Sequence, residues 1–256
     1  MCRWVAYTGP QIYLQELVTE PDHSLVEQSL HAAEGKTITN GDGFGIGWYD
    51  QRPQPGLLRE TMPAWNNRNL QSLTYQVQSR LFFAHVRAST GTETTRANCH
   101  PFSCGKWMFM HNGQISHYPE LRRQLENQLS DQYYQQRYGT TDSELIFLHL
   151  LSNGFADNPL KAAQVTIQNI ESLVTSTGHI NIRLTAAISD GNSLWAMRYA
   201  TRKQPPGLYW SQHGQGQVVV SEPYACDLAN WHEVAPNSLL TVSPGHEPQV
   251  SRLLDS

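Results

Sequence analysis

The chain has 256 residues, of which 39% are hydrophobic and 16% are charged, with 18 Lys and Arg against 22 Asp and Glu. This composition argues against a disordered chain, and the formal net charge of −4 argues against nucleic acid as the main partner, because phosphate binding normally leaves a basic footprint. The sequence has neither an apolar run of roughly 18 residues nor a start typical of a secretory signal, so we expect a cytoplasmic protein that does not bind membranes.

The hydrophobic pattern predicts an α+β fold. Segments rich in aromatic and β-branched residues predict strands at 2–9, 43–50, 81–89, 106–113, 179–191, 193–200, 216–222 and 237–243. Helical periodicity predicts helices at 24–33, 69–79, 118–130, 141–152 and 159–176. Because the helices do not alternate strictly with the strands, we expect antiparallel sheets packed on each other and covered by helices. No long linker or internal repeat is visible, which favours a single domain over residues 2–256.

The four cysteines do not form a metal-binding pattern. Cys99 and Cys104 flank His100, but the sequence contains no CxxC pair and no second cluster to complete a zinc site. We therefore expect no metal, no other cofactor and no disulfide, and we expect Cys99, Cys104 and Cys226 to be structural. The remaining cysteine, Cys2, has an unusual position.

Cys2 directly follows the initiator methionine. If that methionine is removed, the residue carries both a thiol nucleophile and a free α-amine, whose pKa of about 7.7–8.0 lets it act as a base near neutral pH. Such a residue can attack an amide carbonyl. The alternative is a cysteine that merely happens to follow the start codon.

Asn112 and Gly113 end a predicted apolar strand. The amide of an Asn side chain and a backbone N–H of Gly, placed side by side, can hold the oxyanion of a tetrahedral intermediate. The alternative is a plain turn, because Asn-Gly is a strong turn signal wherever it occurs.

Two charged residues complete a candidate site. Arg87 lies at the end of another predicted strand, where its guanidinium can grip a carboxylate or can simply be solvated. Asp142 precedes a predicted helix, where it can pair with a substrate ammonium, or where Asp142 or Thr141 can simply cap the helix. With Cys2, these groups describe a ligand that has ammonium and carboxylate ends and a side-chain amide, as in glutamine or a γ-glutamyl amide.

Six segments in this order resemble the motifs of the class II glutamine amidotransferases, a branch of the N-terminal nucleophile hydrolases: MCRWVAYTGP at 1–10, NGDGFGIGWYD at 40–50, FAHVRAST at 83–90, FMHNGQI at 109–115, TTDSE at 140–144 and VVVSEP at 218–223. The chain is most similar to the short stand-alone bacterial group that includes YafJ-type proteins and the γ-glutamyl hydrolase of ergothioneine biosynthesis.

The resemblance implies a four-layer α/β/β/α sandwich of two antiparallel sheets. It also implies that Cys2 is the nucleophile at the start of a central strand, that Asn112 and Gly113 form the oxyanion hole, that Arg87 binds the glutamine carboxylate and that Asp142 binds its ammonium. The roles argued from the residues and those implied by the resemblance agree.

Three functions remain open at this point. The first is a glutaminase that feeds ammonia to a separate synthase subunit, because the sequence contains no synthase domain of its own. The second is an autonomous hydrolase of another γ-glutamyl amide. The third is a non-catalytic glutamine binder or scaffold. We assign no role to His85 or His111, and we expect Ser221 and Glu222 to support the region around Cys2.

Overall fold

The computed structural model describes residues 2–30, 39–89, 91–176, 178, 181–202, 204–224 and 228–254. Within these ranges it contains thirteen strands: β1 (Arg3–Tyr13), β2 (Phe44–Tyr49), β3 (Gly56–Glu60), β4 (Gln78–Val86), β5 (Phe102–Cys104), β6 (Trp107–Ile115), β7 (Ile182–Ser189), β8 (Leu194–Ala200), β9 (Tyr209–His213), β10 (Gly216–Val220), β11 (His232–Glu233), β12 (Ser238–Val242) and β13 (Gln249–Arg252). The same ranges contain seven α-helices: α1 (Gln15–Val18), α2 (Leu25–Leu30), α3 (Arg68–Gln76), α4 (Tyr118–Glu126), α5 (Asp131–Tyr134), α6 (Asp142–Ser152) and α7 (Pro159–Ser176).

The strands form two antiparallel sheets. The first sheet has the order β11-β9-β10-β1-β4-β2-β3, and the second has the order β13-β12-β8-β7-β6-β5. Strand β1 therefore lies at the centre of the first sheet, between β10 and β4. The position of β1 agrees with the expectation that Cys2 begins a central strand.

Three apolar clusters separate four layers. One cluster lies between the two sheets and contains Trp4, Phe83 and Met110. A second joins the other face of the first sheet to α1, α2 and α3, and a third joins the outer face of the second sheet to α4, α6 and α7. Because each sheet has an apolar face on both sides, helices must cover the outer faces. The predicted α/β/β/α sandwich is confirmed.

The structure contains every predicted strand and adds short ones. Of the five strands that the sequence pattern missed, β3, β5, β11 and β13 are sheet edges, and β9 lies next to an edge. Edge strands bury little side-chain surface; the residues of β11 are exposed on both sides. They therefore lack the apolar alternation on which strand prediction depends.

The predicted helices differ from the observed ones mainly at their ends. The helix predicted at 69–79 stops at Gln76, and Gln78 already begins β4. Of the helix predicted at 24–33, α2 covers Leu25–Leu30, and residues 31–33 lie outside the described ranges. Residues 190–192, whose Asp-Gly-Asn sequence is typical of a hairpin turn, join β7 to β8.

Two features are absent from the described residues. No helix there is long and apolar enough to cross a membrane, and no three His, Cys, Asp or Glu side chains are grouped so that they could hold a metal ion. Cys2, Cys99 and Cys104 are free thiols, and Cys226 lies outside the described ranges.

Candidate active site

Strand alternation brings the predicted residues to one end of the space between the sheets. Trp4, Phe83 and Met110 face this space from β1, β4 and β6. Because successive side chains of a strand point to opposite faces, residues an even number of positions away face the same space. These residues are Cys2, Arg87 and Asn112.

The thiol of Cys2 lies against the backbone that follows β4. The N–H of Ala88 donates to Sγ at 3.3 Å, and the carbonyl oxygen of Ala88 lies 3.5 Å from the same sulfur. Burial raises the pKa of the Cys2 thiol, while the Ala88 contact and the charges of Arg87 and Arg3 act in the opposite direction. The thiol is therefore protonated at neutral pH and needs a base to become a nucleophile.

Asn112 lies inside a strand, which corrects the interpretation that the strand ends at Asn112 and Gly113. Strand β6 continues to Ile115, and both residues pair with β7, so no turn forms there. Nδ2 of Asn112 donates to the carbonyl oxygen of Cys2 at 2.7 Å. The side-chain amide thus contacts the backbone of the residue predicted to supply the nucleophile.

Gly113 has a backbone that suits only glycine. Its φ is +151°, and a Cβ built on it would lie well inside 3.0 Å of the carbonyl oxygen of Arg183 and of Nε2 of His111. The exposed backbone of Gly113 lies beside Asn112 and lines the cavity described below.

Arg87 is buried, which excludes the interpretation that it is a solvated charge. Its guanidinium donates to the carbonyl oxygens of Asp42 and Glu93, each at 3.3 Å, and to Oγ1 of Thr92 at 2.7 Å. Oγ of Ser89 also accepts from it at 3.3 Å. These partners are neutral, and Arg87 makes no ion pair with any described residue. The group is positioned and its charge is available to an anion.

Asp142 begins α6 without capping it. The cap is Thr141, whose side chain accepts from the N–H of Glu144 at 3.2 Å. Oδ2 of Asp142 accepts from the N–H of Ile115 at 2.9 Å, which ties the start of α6 to the end of β6. The alternative of an N-cap therefore applies to Thr141 and leaves the carboxylate of Asp142 facing the cavity.

One cavity of about 260 Å³ contains most of the predicted site. Its walls include Cys2, Arg87, Gly113 and Asp142. Asn112 does not line the cavity, and it reaches the site through its contact with Cys2. The cavity therefore combines a thiol, a cation, an anion and a backbone donor, a set that complements an α-amino acid with a reactive side-chain carbonyl.

The start of β1 is held by residues for which the sequence suggested only general support. The N–H of Trp4 donates to Oγ of Ser221 at 2.9 Å, and the N–H of Ser221 donates to the carbonyl oxygen of Trp4 at 3.1 Å. Glu222 forms a buried ion pair with Arg3 at 2.6 Å, and Arg3 donates to the carbonyl oxygen of Cys2 at 3.0 Å. Ser221 and Glu222 thus hold the strand that presents Cys2.

Three buried histidines lie at the base of the site. His111 contacts Oγ of Ser143 through Nδ1 at 2.8 Å and the carbonyl oxygen of Arg183 through Nε2 at 3.3 Å. The rings of His85 and His100 stack with their centroids 4.1 Å apart. Burial lowers the pKa of all three, that of His85 to about 3, so each ring is neutral at pH 7. The spacing of these residues in the sequence had not indicated the stack.

The chain is similar in sequence to known proteins. A family model described as class-II glutamine amidotransferases matches residues 17–206, a range that begins after Cys2. A Saccharomyces cerevisiae protein named "Probable glutamine amidotransferase" is 32% identical over 94% of this chain and 82% of its own length. A γ-glutamyl-hercynylcysteine sulfoxide hydrolase from Mycolicibacterium smegmatis is 27% identical over 96% and 97% of the two chains.

The fold is also similar to that of solved structures. The structure of a "glutamine aminotransferase class-II domain protein" from Silicibacter pomeroyi matches with a TM-score of 0.77 and 34% identity, over 99% of this chain and 100% of that chain. The glutamine phosphoribosylpyrophosphate amidotransferase of B. subtilis matches with a TM-score of 0.64 and 17% identity, over 100% of this chain and 50% of that chain. The second match supports the fold alone.

Proposed function

Because the chain belongs to the class II glutamine amidotransferases, a family of enzymes, we propose that it hydrolyses the side-chain amide of glutamine or of another γ-glutamyl amide through a thioester on Cys2. The observation that carries this proposal is the convergence of Cys2, Arg87, Gly113 and Asp142 on one cavity, with Asn112 bonded to Cys2.

Activation requires removal of Met1. While Met1 is attached, the nitrogen of Cys2 is an amide and cannot accept a proton. Removal leaves an α-amine with a pKa of about 7.7–8.0, a useful fraction of which is neutral at physiological pH. Because burial raises the pKa of the Cys2 thiol, this adjacent base is needed to generate the thiolate.

The reaction then proceeds in two halves. The α-amine takes the thiol proton while Sγ of Cys2 attacks the amide carbon, and Nδ2 of Asn112 and the N–H of Gly113 bind the resulting oxyanion. The intermediate collapses, the amine returns the proton to the leaving nitrogen, and a γ-glutamyl thioester remains. Water, deprotonated by the same amine, attacks the thioester and releases the γ-carboxylate and the thiol.

Substrate recognition uses the two charged residues of the cavity. Arg87 binds the α-carboxylate, since its guanidinium is fixed by five neutral oxygen partners. Asp142 binds the α-ammonium. Together they place the side-chain carbonyl over Cys2, which converts binding energy into orientation.

A γ-glutamyl amide other than glutamine is supported by the shape of the site. Gly113, Gln114 and His117 line the cavity and are exposed, so the cavity opens to solvent beside the oxyanion donors. This opening leaves room for a leaving group larger than ammonia. If glutamine is the substrate, a separate synthase subunit would be the ammonia acceptor. A non-catalytic binder is disfavoured, because binding alone does not need a thiol beside oxyanion donors.

The test is intact-mass analysis after treatment with a diazoketone analogue of glutamine. We expect loss of Met1 and one adduct on Cys2, with protection by excess glutamine or γ-glutamyl amide. Cys2→Ala should abolish the adduct, whereas Cys104→Ser, which removes another partly exposed thiol, should keep it. Unmodified protein that retains Met1 would overturn the proposal. Release of ammonia from glutamine, compared with release of amine from γ-glutamyl amides, then identifies the substrate.

A further inference from the structure

The side-chain oxygen of Asn112 is buried without a partner. Nδ2 donates to Cys2, but Oδ1 accepts no hydrogen bond from any described residue. A buried acceptor without a donor is unfavourable, and most such atoms in folded proteins are paired. The unpaired atom belongs to the side chain on which the proposed oxyanion hole depends.

His85 and Asn112 face the same space between the two sheets, from β4 and β6. Strand alternation directs His85 into the space between the sheets, two positions before Arg87 and opposite Trp4 in the register of β1 and β4. The side chain of Asn112 and the backbone of His111 both act on the pKa of His85, which places them next to its ring. Neither Nδ1 nor Nε2 of His85 has a partner at normal hydrogen-bond geometry within the described ranges.

The imidazole of His85 can supply the hydrogen-bond donor that Oδ1 of Asn112 lacks. A neutral imidazole carries one N–H donor and one acceptor, so it can supply a single hydrogen bond to a carbonyl oxygen. Burial and the charge of Arg87 keep the ring neutral at physiological pH. The ring of His100 stacks on the ring of His85, with the centroids 4.1 Å apart, and this contact restricts how the His85 ring can turn.

We propose that His85 is a positioning residue that donates its ring N–H to Oδ1 of Asn112 and thereby keeps Nδ2 of Asn112 directed at the reacting carbonyl. An Asn amide can rotate by half a turn and present oxygen where nitrogen is needed. Oxygen directed at a developing oxyanion is repulsive, so a fixed orientation is part of the catalytic preorganisation. This inference rests on the proposed function, because it assigns Asn112 to the oxyanion hole.

A double-mutant cycle tests the proposal. His85→Phe removes both nitrogens and keeps a ring that can stack on His100, and it should lower kcat about 10- to 100-fold, in line with the cost of misplaced catalytic groups. KM should change little, because Arg87 and Asp142 are untouched. His85→Gln, which retains an N–H donor, should restore most of the rate. In the presence of Asn112→Ala, His85→Phe should cause no further loss.

A matched control separates positioning from stability. His149, on α6, is also buried and lies away from the cavity. Its Nε2 lies 3.0 Å from the carbonyl oxygen of Leu125 on α4. His149→Phe should lower the unfolding temperature without changing kcat. If His85→Phe does not fold, His85→Met replaces it in the cycle, because Met adapts to irregular space. A kcat within twofold of wild type, or losses that multiply in the double variant, would overturn the assignment of His85.

A second readout does not need turnover. In 15N-labelled protein, the side-chain NH₂ signal of Asn112 can be assigned by its loss in Asn112→Ala. This signal should shift and broaden in His85→Phe and return toward its wild-type position in His85→Gln. An unchanged signal contradicts the role of His85, whereas a wild-type protein that hydrolyses no γ-glutamyl amide contradicts the proposed function. The two failures are therefore distinguishable.

Discussion

Gly113→Ala is the substitution that the structure predicts to be most costly at the site. At φ +151° an alanine is strained, and its Cβ would collide with the carbonyl oxygen of Arg183 on β7 and with the ring of His111. The strain costs roughly 1–3 kcal/mol, and overpacking costs roughly another 1–3 kcal/mol. We therefore expect the free energy of unfolding to fall by about 2–6 kcal/mol. Because β6 and β7 must separate to relieve the collision, the N–H at position 113 also moves away from the position in which we propose that it binds the oxyanion.

The loss of activity should be at least as large as that for a missing oxyanion donor, about 10²–10³ in kcat. Urea denaturation measures stability, and release of ammonia or amine measures kcat. The matched control is Gly105→Ala, since Gly105 also has a positive φ, +58°, but a Cβ there meets nothing within 4 Å. Gly105→Ala should cost about 1–2 kcal/mol and leave kcat unchanged. Equal losses in the two variants, or wild-type activity in Gly113→Ala, would refute the reasoning.

Three further predictions concern the charged and buried groups. Arg87→Lys keeps the charge but loses the planar fork, so KM should rise about 10- to 100-fold with little change in kcat, measured by steady-state kinetics; an unchanged KM would exclude Arg87 as the carboxylate clamp. Burial holds the pKa of His85 at about 3 in the folded protein, whereas it is about 6.5 when unfolded. Stability that is present above pH 6.5 should therefore be lost toward pH 3, by about 2 kcal/mol at pH 5 for this one residue, and His85→Gln should show a correspondingly smaller loss in urea denaturation at pH 7.5 and 5. Glu222→Gln leaves the buried Arg3 without its carboxylate and should lower the free energy of unfolding by about 3–5 kcal/mol; a change below about 1 kcal/mol would show that the ion pair does not hold the start of β1.

The sequence predicted correctly those features that depend on residues close together in the chain. Aromatic and β-branched residues predicted the strands β1, β4 and β6, and alternation along these strands brings Cys2, Arg87 and Asn112 to the same space. The Thr141 cap was likewise one of the two alternatives for the start of α6. These features depend on neighbours within a few positions, so they can be inferred without knowing how the sheets pack.

Other features depend on residues that are distant in the sequence. Asn112 and Gly113 have the sequence of a turn, yet pairing with β7 keeps them in a strand. The buried pair of Arg3 and Glu222 joins positions 219 residues apart. Likewise, the stack of His85 on a second histidine forms between separate segments. No local pattern encodes such contacts, because they exist only once the strands of the two sheets have paired and the sheets have packed.

Cys2 combines both kinds of information. Its place after Met1 is a property of the sequence, and it was enough to indicate a candidate nucleophile. Its environment was decided by the tertiary structure: burial raises the pKa of the thiol, and Ala88 and Asn112 orient the residue. The physical reason is that reactivity depends on solvation and on neighbouring dipoles, which are set by chain segments more than 80 residues away.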